Sequence, residues 1–296
     1  MKTLFRLRPA DSLTIIFLLF LAALSLVFHE KVHHVQTLFF TYALLLLIQV
    51  SLIKTTGFFA SNRLLDLVRS ILFPVVCVLI TFNSLGRLVH SVHPRDIDPL
   101  LIRLDYLIFG GYPTIMLESI SNPLLTDVLQ VAYSTYYFLP LSLGLMLKLQ
   151  GRDLEFDRTL FLILFCFYLS YIGYLLFPAL GPRYVMNHLQ SKNLTAGSAI
   201  AEPIQHFLNE LEGIKRDAFP SGHTGVALVV SVLAYQYHKV FFWVTLPVIV
   251  MLIFSTVYCR YHYAVDIIGG FILFATTLLV GGSYYGYWQV RKDIDR

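Results

Sequence analysis

The stretch Phe219-Pro220-Ser221-Gly222-His223-Thr224-Gly225 leads into an apolar run, Val226 to Tyr237, that has the composition of a membrane helix. Proline is well tolerated in the first turn of a helix, where its missing N–H group would have no partner. Ser221 can cap the helix, and Gly222 lets a ligand approach the backbone closely. The free N–H groups of such a helix start favour an anion. The pattern predicts either an anion site that includes His223 or a capped helix start with an incidental histidine.

Two further polar motifs stand at the ends of apolar segments. Gly181-Pro182-Arg183 closes the preceding segment, and Arg260-Tyr261-His262-Tyr263-Ala264-Val265-Asp266 opens the next but one. His262 and Asp266 are four residues apart, so on a helix the carboxylate can accept a hydrogen bond from one imidazole nitrogen. That bond would fix the tautomer and leave the other nitrogen free as a nucleophile or base. The alternative is a structural pair that holds two helices together.

Arg183 and Arg260 are the cations of the pattern. A guanidinium group binds phosphate oxygens through a rigid two-pronged set of donors. For either arginine alone, contact with lipid headgroups is the alternative. Arg260 and His262 are two positions apart, so on an ideal helix the directions of their side chains would differ by about 200°. If both meet one phosphate, the chain must be non-helical around Tyr261 or the helix must begin at His262, and the Arg260 guanidinium should then lie between His223 and His262.

The composition is that of a polytopic membrane protein. Of its 296 residues, 57% are hydrophobic and 14% are charged, whereas soluble domains average about 45–50% and 25%. The net charge of +4 is explained by lysine and arginine in cytoplasmic loops, so no nucleic-acid partner is expected. Cys77, Cys166 and Cys259 are far apart and show neither a disulfide framework nor metal-ligand spacing. We therefore expect no metal and no cofactor.

Apolar runs near the roughly 20 residues needed to cross a bilayer occur eight times. The first lacks a convincing cleavage site and is interpreted as an uncleaved anchor. Eight spans put both termini on the side richer in lysine and arginine, which is therefore predicted to be cytoplasmic. The three motifs then share the opposite face, which is periplasmic, extracellular or lumenal. The runs are Leu13–Phe28, Val35–Ile53, Ser70–Leu88, Pro123–Leu147, Thr159–Phe177, Pro220–Tyr237, Val240–Tyr258 and Tyr263–Trp288.

Two long loops lie on the face that carries the motifs. Within residues 90–122, the mixed run Leu100–Phe109 predicts either an amphipathic helix in the membrane interface or an ordinary loop packed on the bundle. Residues 178–219 join two of the motifs, and their position suits a lid or a wall of an acceptor site.

Taken together, the motifs resemble the type 2 phosphatidic acid phosphatase superfamily, which also contains the vanadium haloperoxidases. The resemblance covers about Ser70 to Trp288, and Phe219–His223 matches the Pro-Ser-Gly-His motif of the family. It implies an all-α polytopic membrane helix bundle with a six-helix catalytic core in residues 70–296, after two transmembrane helices in residues 1–69. It also implies a lipid phosphatase or phosphotransferase that acts on a phosphate ester at the membrane surface.

The resemblance implies a role for each motif residue. His262 would attack phosphorus and form a phosphohistidine, Asp266 would orient it, and His223 would protonate the leaving oxygen. Fixed cations and helix N–H groups would stabilise the transition-state charge, so that no metal is needed. The partners implied are a lipid phosphate or phospholipid, the membrane, and a polar or lipid acceptor. The groups that would hold the phosphate are Arg183, Arg260, Ser221 and the Gly222 N–H.

The sequence departs from the family pattern in two motifs. Leu176 occupies the place of the usual lysine, and Pro182 precedes the arginine instead of following it. Thr256 stands where the third motif usually has arginine, and we expect Arg260 to replace it. The resulting form is similar to the branch that contains inositol phosphorylceramide synthases, which move a phospho-headgroup between lipids. That branch also shares the Asp-x-x-x-Phe-Gly-x-x-Pro loop at Asp105–Pro113.

A non-enzymatic transporter or binding protein for an anionic lipid is the alternative from another class. It would use the same basic pocket. A transporter site is expected near the bilayer midplane on broken helices, whereas these motifs fall at helix ends.

Overall fold

The computed structural model describes residues 7–32, 34–59, 62–211 and 214–294, and this part of the chain is helical without strands. The all-α polytopic fold is therefore confirmed. Six helices within these ranges are long and apolar enough to cross a membrane, and a pair bent by 65° would make a seventh if it is one span. The six are Pro9–Val27, Val35–Phe58, Arg63–Val92, Asp153–Leu176, Lys239–Tyr258 and Ala264–Arg291, and the bent pair is Asp98–Phe109 with Pro113–Ile120.

The helices follow one another through short connections. Two π-helical turns, Val68–Leu72 and Thr277–Gly281, join α3 to α4 and α14 to α15 within longer spans. The helices are α1 Pro9–Val27, α2 Val35–Phe58, α3 Arg63–Leu67, α4 Phe73–Val92, α5 Asp98–Phe109, α6 Pro113–Met116, α7 Pro123–Ser134, α8 Phe138–Leu149, α9 Asp153–Leu176, α10 Pro182–Val185, α11 Ala201–Leu211, α12 Gly222–Tyr237, α13 Lys239–Tyr258, α14 Ala264–Thr276 and α15 Gly282–Ile294.

Two of the eight predicted spans differ from single long helices. The run Pro123–Leu147 consists of α7 and α8, which are separated by the 3₁₀ turn Thr135–Tyr137. Pro140, the third residue of α8, has no N–H group to donate to the carbonyl one turn back, which favours an interruption of the regular helix next to this turn. The span that carries His223, α12, has only 16 residues.

The central helix of the bundle is α9, whose sequence shows no polar stripe along one side. Its neighbours are α1, α4, α8 and α12, and α12 also packs against α13 and α14. Close approach of α12 and α14 depends on Gly270, because a Cβ atom there would lie 2.5 Å from the Cβ atom of Thr224. The starts of α12 and α14 are thereby brought together.

The two N-terminal helices pack directly on the rest of the bundle. α1 contacts both α2 and α9. Asp11 in α1 is buried and forms an ion pair with Arg69, which lies at the predicted boundary between the two regions. The division at residue 69 into two helices and a catalytic core stays a prediction.

Candidate active site

His223 and His262 form the centre of the candidate site. The Nδ1 atom of His223 lies 3.3 Å from the Nε2 atom of His262, and both side chains are buried. His223 stands in the first turn of α12, where the Ser221 hydroxyl accepts a hydrogen bond from the Thr224 N–H. His262 lies in the turn between α13 and α14. The capped helix start predicted from the sequence is confirmed, and two histidines from separate motifs are brought within hydrogen-bonding distance.

The hydrogen bonds of His262 define its tautomer. Its Nδ1 atom is 2.6 Å from the carbonyl oxygen of Ala218. A carbonyl oxygen can only accept, so Nδ1 carries the hydrogen and Nε2 keeps its lone pair. Burial lowers the pKa of His262 to about 4, with a smaller contribution from Arg183, while Asp217 and the Ala218 carbonyl act in the opposite direction. The ring is therefore neutral at pH 7, with its lone pair directed at His223.

Asp266 is close to His262 but is not its first partner. The Oδ2 atom of Asp266 is 3.4 Å from the Nδ1 atom of His262, and it accepts a hydrogen bond of 2.7 Å from the Tyr263 N–H. Because α14 begins only at Ala264, the two residues do not share one helix face. The expected hydrogen bond is thus replaced by a capping interaction, and the Ala218 carbonyl takes the place predicted for the carboxylate.

Backbone hydrogen bonds join the three motifs. The Arg183 N–H donates to the Arg260 carbonyl at 3.0 Å, and the Ser221 N–H donates to the Asp266 carbonyl at 3.1 Å. Close contact also requires glycine at 181, which has φ of 89° and whose missing Cβ atom would lie 2.6 Å from the Tyr261 carbonyl oxygen. The motifs therefore form one connected site.

Arg260 does not lie between the two histidines as the sequence analysis expected. Its guanidinium donates to the Glu118 carboxylate at 2.6 Å and to Gln190 and the Lys192 carbonyl at 2.9 Å each. Burial lowers the pKa of Arg260, and the Glu118 carboxylate opposes this effect. The backbone adopts φ of 64° at Arg260, so the chain is non-helical here, as predicted, but the side chain turns towards Glu118. Thr256, the family arginine position, is buried.

Glu118 also holds part of the long loop that joins the first two motifs. Its carboxylate accepts hydrogen bonds from the Ser191 N–H and hydroxyl, and its carbonyl accepts one from the Lys192 side chain. Glu118 was not identified from the sequence. The segment Gln190–Lys192 is thereby held beside Arg260, and the role of residues 178–219 as a lid or a wall of an acceptor site stays a prediction.

Arg183 is the cation whose charge reaches the histidine pair. Its guanidinium lies over the rings of Tyr184 and Tyr261, at 4.7 and 4.6 Å from their centroids, and donates to the Asn209 side chain in α11. Its charge contributes to lowering the pKa of His262. Arg183 is thus placed to interact with an anion at the histidines.

Two acidic residues of α5 hold the motifs in position. The Asp98 carboxylate accepts from the N–H groups of Leu180 and Gly181, both at 2.9 Å, and from the Tyr263 hydroxyl. Seven residues later, Asp105 accepts from the N–H groups of Ala264 and Val265 at 3.1 and 2.8 Å. The helix predicted over Leu100–Phe109 is present.

The two sides of α5 have opposite characters. Asp98 and Asp105 are buried, whereas Leu100, Leu107 and Ile108 are exposed. The carboxylates thus face protein and the apolar residues face outwards, which suits contact with lipid. The spacing of two acidic residues by two helical turns within an apolar run is the signal that could have identified them.

Aromatic rings complete the wall around His223. The Tyr133 ring stacks on the His223 ring at 4.4 Å and on the Tyr261 ring at 4.1 Å, and the Tyr136 ring lies 4.1 Å from His223. Gln130 donates to the Tyr261 hydroxyl. The sequence analysis missed these residues, although three tyrosines lie within five positions at the end of α7. Tyr133 and Tyr136 thus pack directly against the His223 ring.

A cavity of about 530 Å³ reaches this site from within the bundle. His223 and Asp217 line one end of it. Mostly apolar and aromatic side chains of α4, α8, α9 and α11, and of the turn between α7 and α8, line the remainder. The site therefore connects an apolar space inside the membrane region with the histidine pair.

Comparison with known proteins supplies the family context. A family model described as the PAP2 superfamily matches residues 100–280. A PA-phosphatase related-family protein from Dictyostelium discoideum is 29% identical over 112 residues, which are 37% of this chain and 20% of that protein. The chain thus aligns with only a fifth of the length of this relative. No solved structure gives a significant match.

Proposed function

The chain belongs to the PAP2 superfamily, and from this we propose that it is an integral membrane lipid phosphatase or phosphotransferase that works through a phosphohistidine on His262. The observation that carries the proposal is the His262 Nε2 lone pair, which faces His223 at 3.3 Å while Nδ1 is held by a carbonyl oxygen. A buried neutral imidazole oriented in this way is a nucleophile.

The proposed reaction has two steps. In the first, His262 Nε2 attacks phosphorus, the ester P–O bond breaks, and His223 gives a proton to the leaving oxygen. In the second, water or an alcohol attacks the phosphohistidine, the N–P bond breaks, and His223 receives the proton of the attacking oxygen. Because the two rings lie at hydrogen-bond distance, the phosphate must enter between them and replace this contact. Asp266 and the Ala218 carbonyl would keep His262 oriented throughout.

Four groups would hold the phosphate in this proposal. Arg183 is supported by its electrostatic effect on His262. For Arg260 the available donor is Nε, which is buried and has no hydrogen-bond partner among the described residues. The two other guanidinium nitrogens donate to Glu118, Gln190 and the Lys192 carbonyl. Ser221 and the Gly222 N–H stand at the start of α12, where the helix dipole favours a negative charge.

The substrate would be a lipid phosphate ester whose chain lies in the bilayer. The cavity supports this, because it joins the histidines to an apolar space bordered by membrane helices. On the charge distribution of the loops, the termini are cytoplasmic and the site lies on the periplasmic, extracellular or lumenal face.

Headgroup transfer of the inositol phosphorylceramide synthase type is the second candidate. It is favoured by the loop pattern Asp105–Pro113, whose acidic residue holds the start of α14. The two reactions share the first step and differ in whether water or an alcohol accepts the phosphoryl group. A phosphatase would release inorganic phosphate, and a transferase would produce a new phospholipid.

A substrate panel tests the proposal. Purified protein in lipid nanodiscs is given lipid phosphates with and without alcohol acceptors, and both inorganic phosphate and transfer products are measured. We expect turnover by one of these routes and none with His262→Ala. Tight binding of anionic lipids without any turnover would instead favour the non-enzymatic transporter or binding protein.

A further inference from the structure

The cavity that reaches His223 follows α9 for most of its length. The lining residues of α9 recur every three or four positions and so form one stripe of the helix. From Phe156 to Tyr174, the first and last of them, the helix rises about 27 Å at 1.5 Å per residue. The hydrocarbon core of a bilayer is about 30 Å thick, so one leaflet accounts for about 15 Å of it. The lining thus extends beyond the depth of a single leaflet.

The sides of the cavity are α4 and α8, which both pack on α9. Their lining residues are mostly apolar, and three of them, Val75, Leu141 and Leu145, are exposed. The exposure of these residues, and the packing of α4 and α8 on α9 instead of closely on each other, are consistent with a lateral opening between the two helices. A lipid chain can enter there without leaving the hydrocarbon region.

Among the described residues that line the cavity, those with charged groups lie at one end. Among its described lining residues, the ionisable groups of acidic or basic type are Asp217 and His223, which lie together at the catalytic end. Around Phe156 at the far end, the polar lining groups are the uncharged hydroxyls of Ser70 and Thr159. Behind this end, the Ser70 hydroxyl accepts a hydrogen bond from the Arg8 guanidinium, which is itself paired with Asp11 and Asp157. The described lining there offers hydroxyls and no charged group to a second headgroup, whereas a hydrocarbon chain needs no polar partner.

We propose that this cavity holds one hydrocarbon chain of the substrate, that this chain is longer than one leaflet is deep, and that it places the phosphate at His223 and His262. The inference rests on the proposed function and deepens it, because it restricts the substrate to lipid phosphates with a very long acyl chain or a polyisoprenoid chain. Because the cavity is continuous with the histidines, its occupant is the chain of the substrate itself and not that of an unrelated membrane lipid.

Gly144 provides the test of this proposal. It lines the cavity on α8 near the end away from the histidines, and a Cβ atom there would make an ordinary contact of 3.6 Å with the Phe156 ring. A leucine at this position fits the backbone and fills the groove. Ser142, on the same helix, is exposed and lies outside the cavity lining, so Ser142→Leu adds similar bulk to the outer surface.

The experiment compares lipid phosphates with eight-carbon and twenty-four-carbon chains, and a polyprenyl phosphate as a third arm. We expect Gly144→Leu to lower the ratio of long-chain to short-chain kcat/KM at least tenfold, and Ser142→Leu to leave this ratio unchanged. A larger loss of kcat/KM with the twenty-four-carbon substrate identifies the chain as an acyl chain. A larger loss with the polyprenyl phosphate identifies it as an isoprenoid chain. Equal effects of Gly144→Leu on long and short substrates would overturn the proposal.

A binding measurement separates this inference from the proposed function. Native mass spectrometry of the His262→Ala protein is used to measure retention of the twenty-four-carbon and polyprenyl phosphates, with and without Gly144→Leu. Weaker retention in the double variant supports the groove even if no hydrolysis is found in the wild-type protein. Unchanged retention of both lipids refutes the groove even if the wild-type protein is an active phosphatase.

Discussion

The Asp98 carboxylate accepts a hydrogen bond of 2.8 Å from the Tyr263 hydroxyl, although the two residues are 165 positions apart. The same carboxylate accepts from the backbone of Leu180 and Gly181. One side chain of α5 therefore fixes the turn before Arg183 relative to the turn that carries His262. We regard Asp98 as a positioning residue for the site.

Asp98→Asn should lower kcat roughly 10²-fold, because an amide cannot accept from both backbone N–H groups and the tyrosine, and small displacements of catalytic groups cost about this much. The matched variant Tyr263→Phe removes only the tyrosine contact and should cost less. Steady-state kinetics on protein of verified fold check both values. A kcat for Asp98→Asn within twofold of the wild-type value would show that the site does not depend on this carboxylate.

Arg183→Ala should reduce kcat/KM by roughly 10²–10³, the usual cost of removing one donor that stabilises transition-state charge. Arg183 is the cation whose charge acts on His262, which is the reason for this expectation. The neighbouring Lys215 is exposed, and Lys215→Ala serves as the control for a general loss of positive charge. An equal loss in both variants would point to electrostatic attraction of the substrate instead of phosphate binding.

Arg260→Ala should lower both the thermal stability of the protein and its catalytic rate. It leaves the buried Glu118 carboxylate without its partner, a change that costs about 3–5 kcal/mol. Adding Glu118→Gln should restore thermal stability but leave the rate low, because the Nε donor proposed for phosphate is still missing. Thr256→Ala should have near-normal activity. If activity returns together with stability in the double variant, Arg260 is a structural partner of Glu118 and not a phosphate ligand.

The acid limb of kcat/KM should lie near pH 4. The pKa of His262 is lowered to about 4, chiefly by burial, and protonation removes the lone pair that attacks phosphorus, so activity falls as the pH drops through this value. Asp217 raises the pKa, so Asp217→Asn should move the acid limb to lower pH. An acid limb near pH 6.5 that Asp217→Asn does not move would contradict this assignment.

Folding must be checked at each pH in that experiment. His262 binds a proton more weakly in the folded than in the unfolded state, so between about pH 6.5 and 4 its contribution makes stability fall as the pH falls. Circular dichroism at each pH separates this loss from the loss of nucleophile.

Activity should persist in EDTA and be inhibited by vanadate. The proposed stabilisation comes from arginines and helix N–H groups, and in the described part of the chain no group of three or more His, Cys, Asp or Glu residues could hold a metal ion. Vanadate mimics the five-coordinate phosphorus of the reaction and should compete with the substrate. Activity lost in EDTA and restored by magnesium would overturn this prediction.

The sequence was informative where the chemistry is local. Ser221 and His223 lie in one motif, and the cap they form follows from their order along the chain. Pro140 likewise marks the break in the run Pro123–Leu147, although its apolar composition favoured a single span. The spacing of Asp98 and Asp105 marks them as buried acidic residues, but their partners could not be recognised, because Tyr263 is 165 positions from Asp98. Glu118 left no such signal, and its partner Arg260 is 142 positions distant.

The position of the Arg260 side chain illustrates the same limit. The sequence analysis required a non-helical chain here on the condition that Arg260 and His262 meet one phosphate. The backbone is indeed left-handed at Arg260, but the guanidinium binds Glu118. The spacing could not show that a buried carboxylate would attract the guanidinium, because Glu118 lies in a different loop. The hydrogen bond of His262 to a backbone carbonyl was missed for a related reason, as carbonyl groups leave no signature in the sequence.

The central claim is that His262 becomes phosphorylated, and trapping the intermediate tests it most directly. Protein is mixed with a lipid phosphate, quenched rapidly at alkaline pH, where phosphohistidine is stable, and digested for mass spectrometry. We predict a phosphoryl group on His262 in the wild-type protein, and none in His262→Ala. A phosphoryl group on another residue, or wild-type turnover in His262→Ala, would contradict the account.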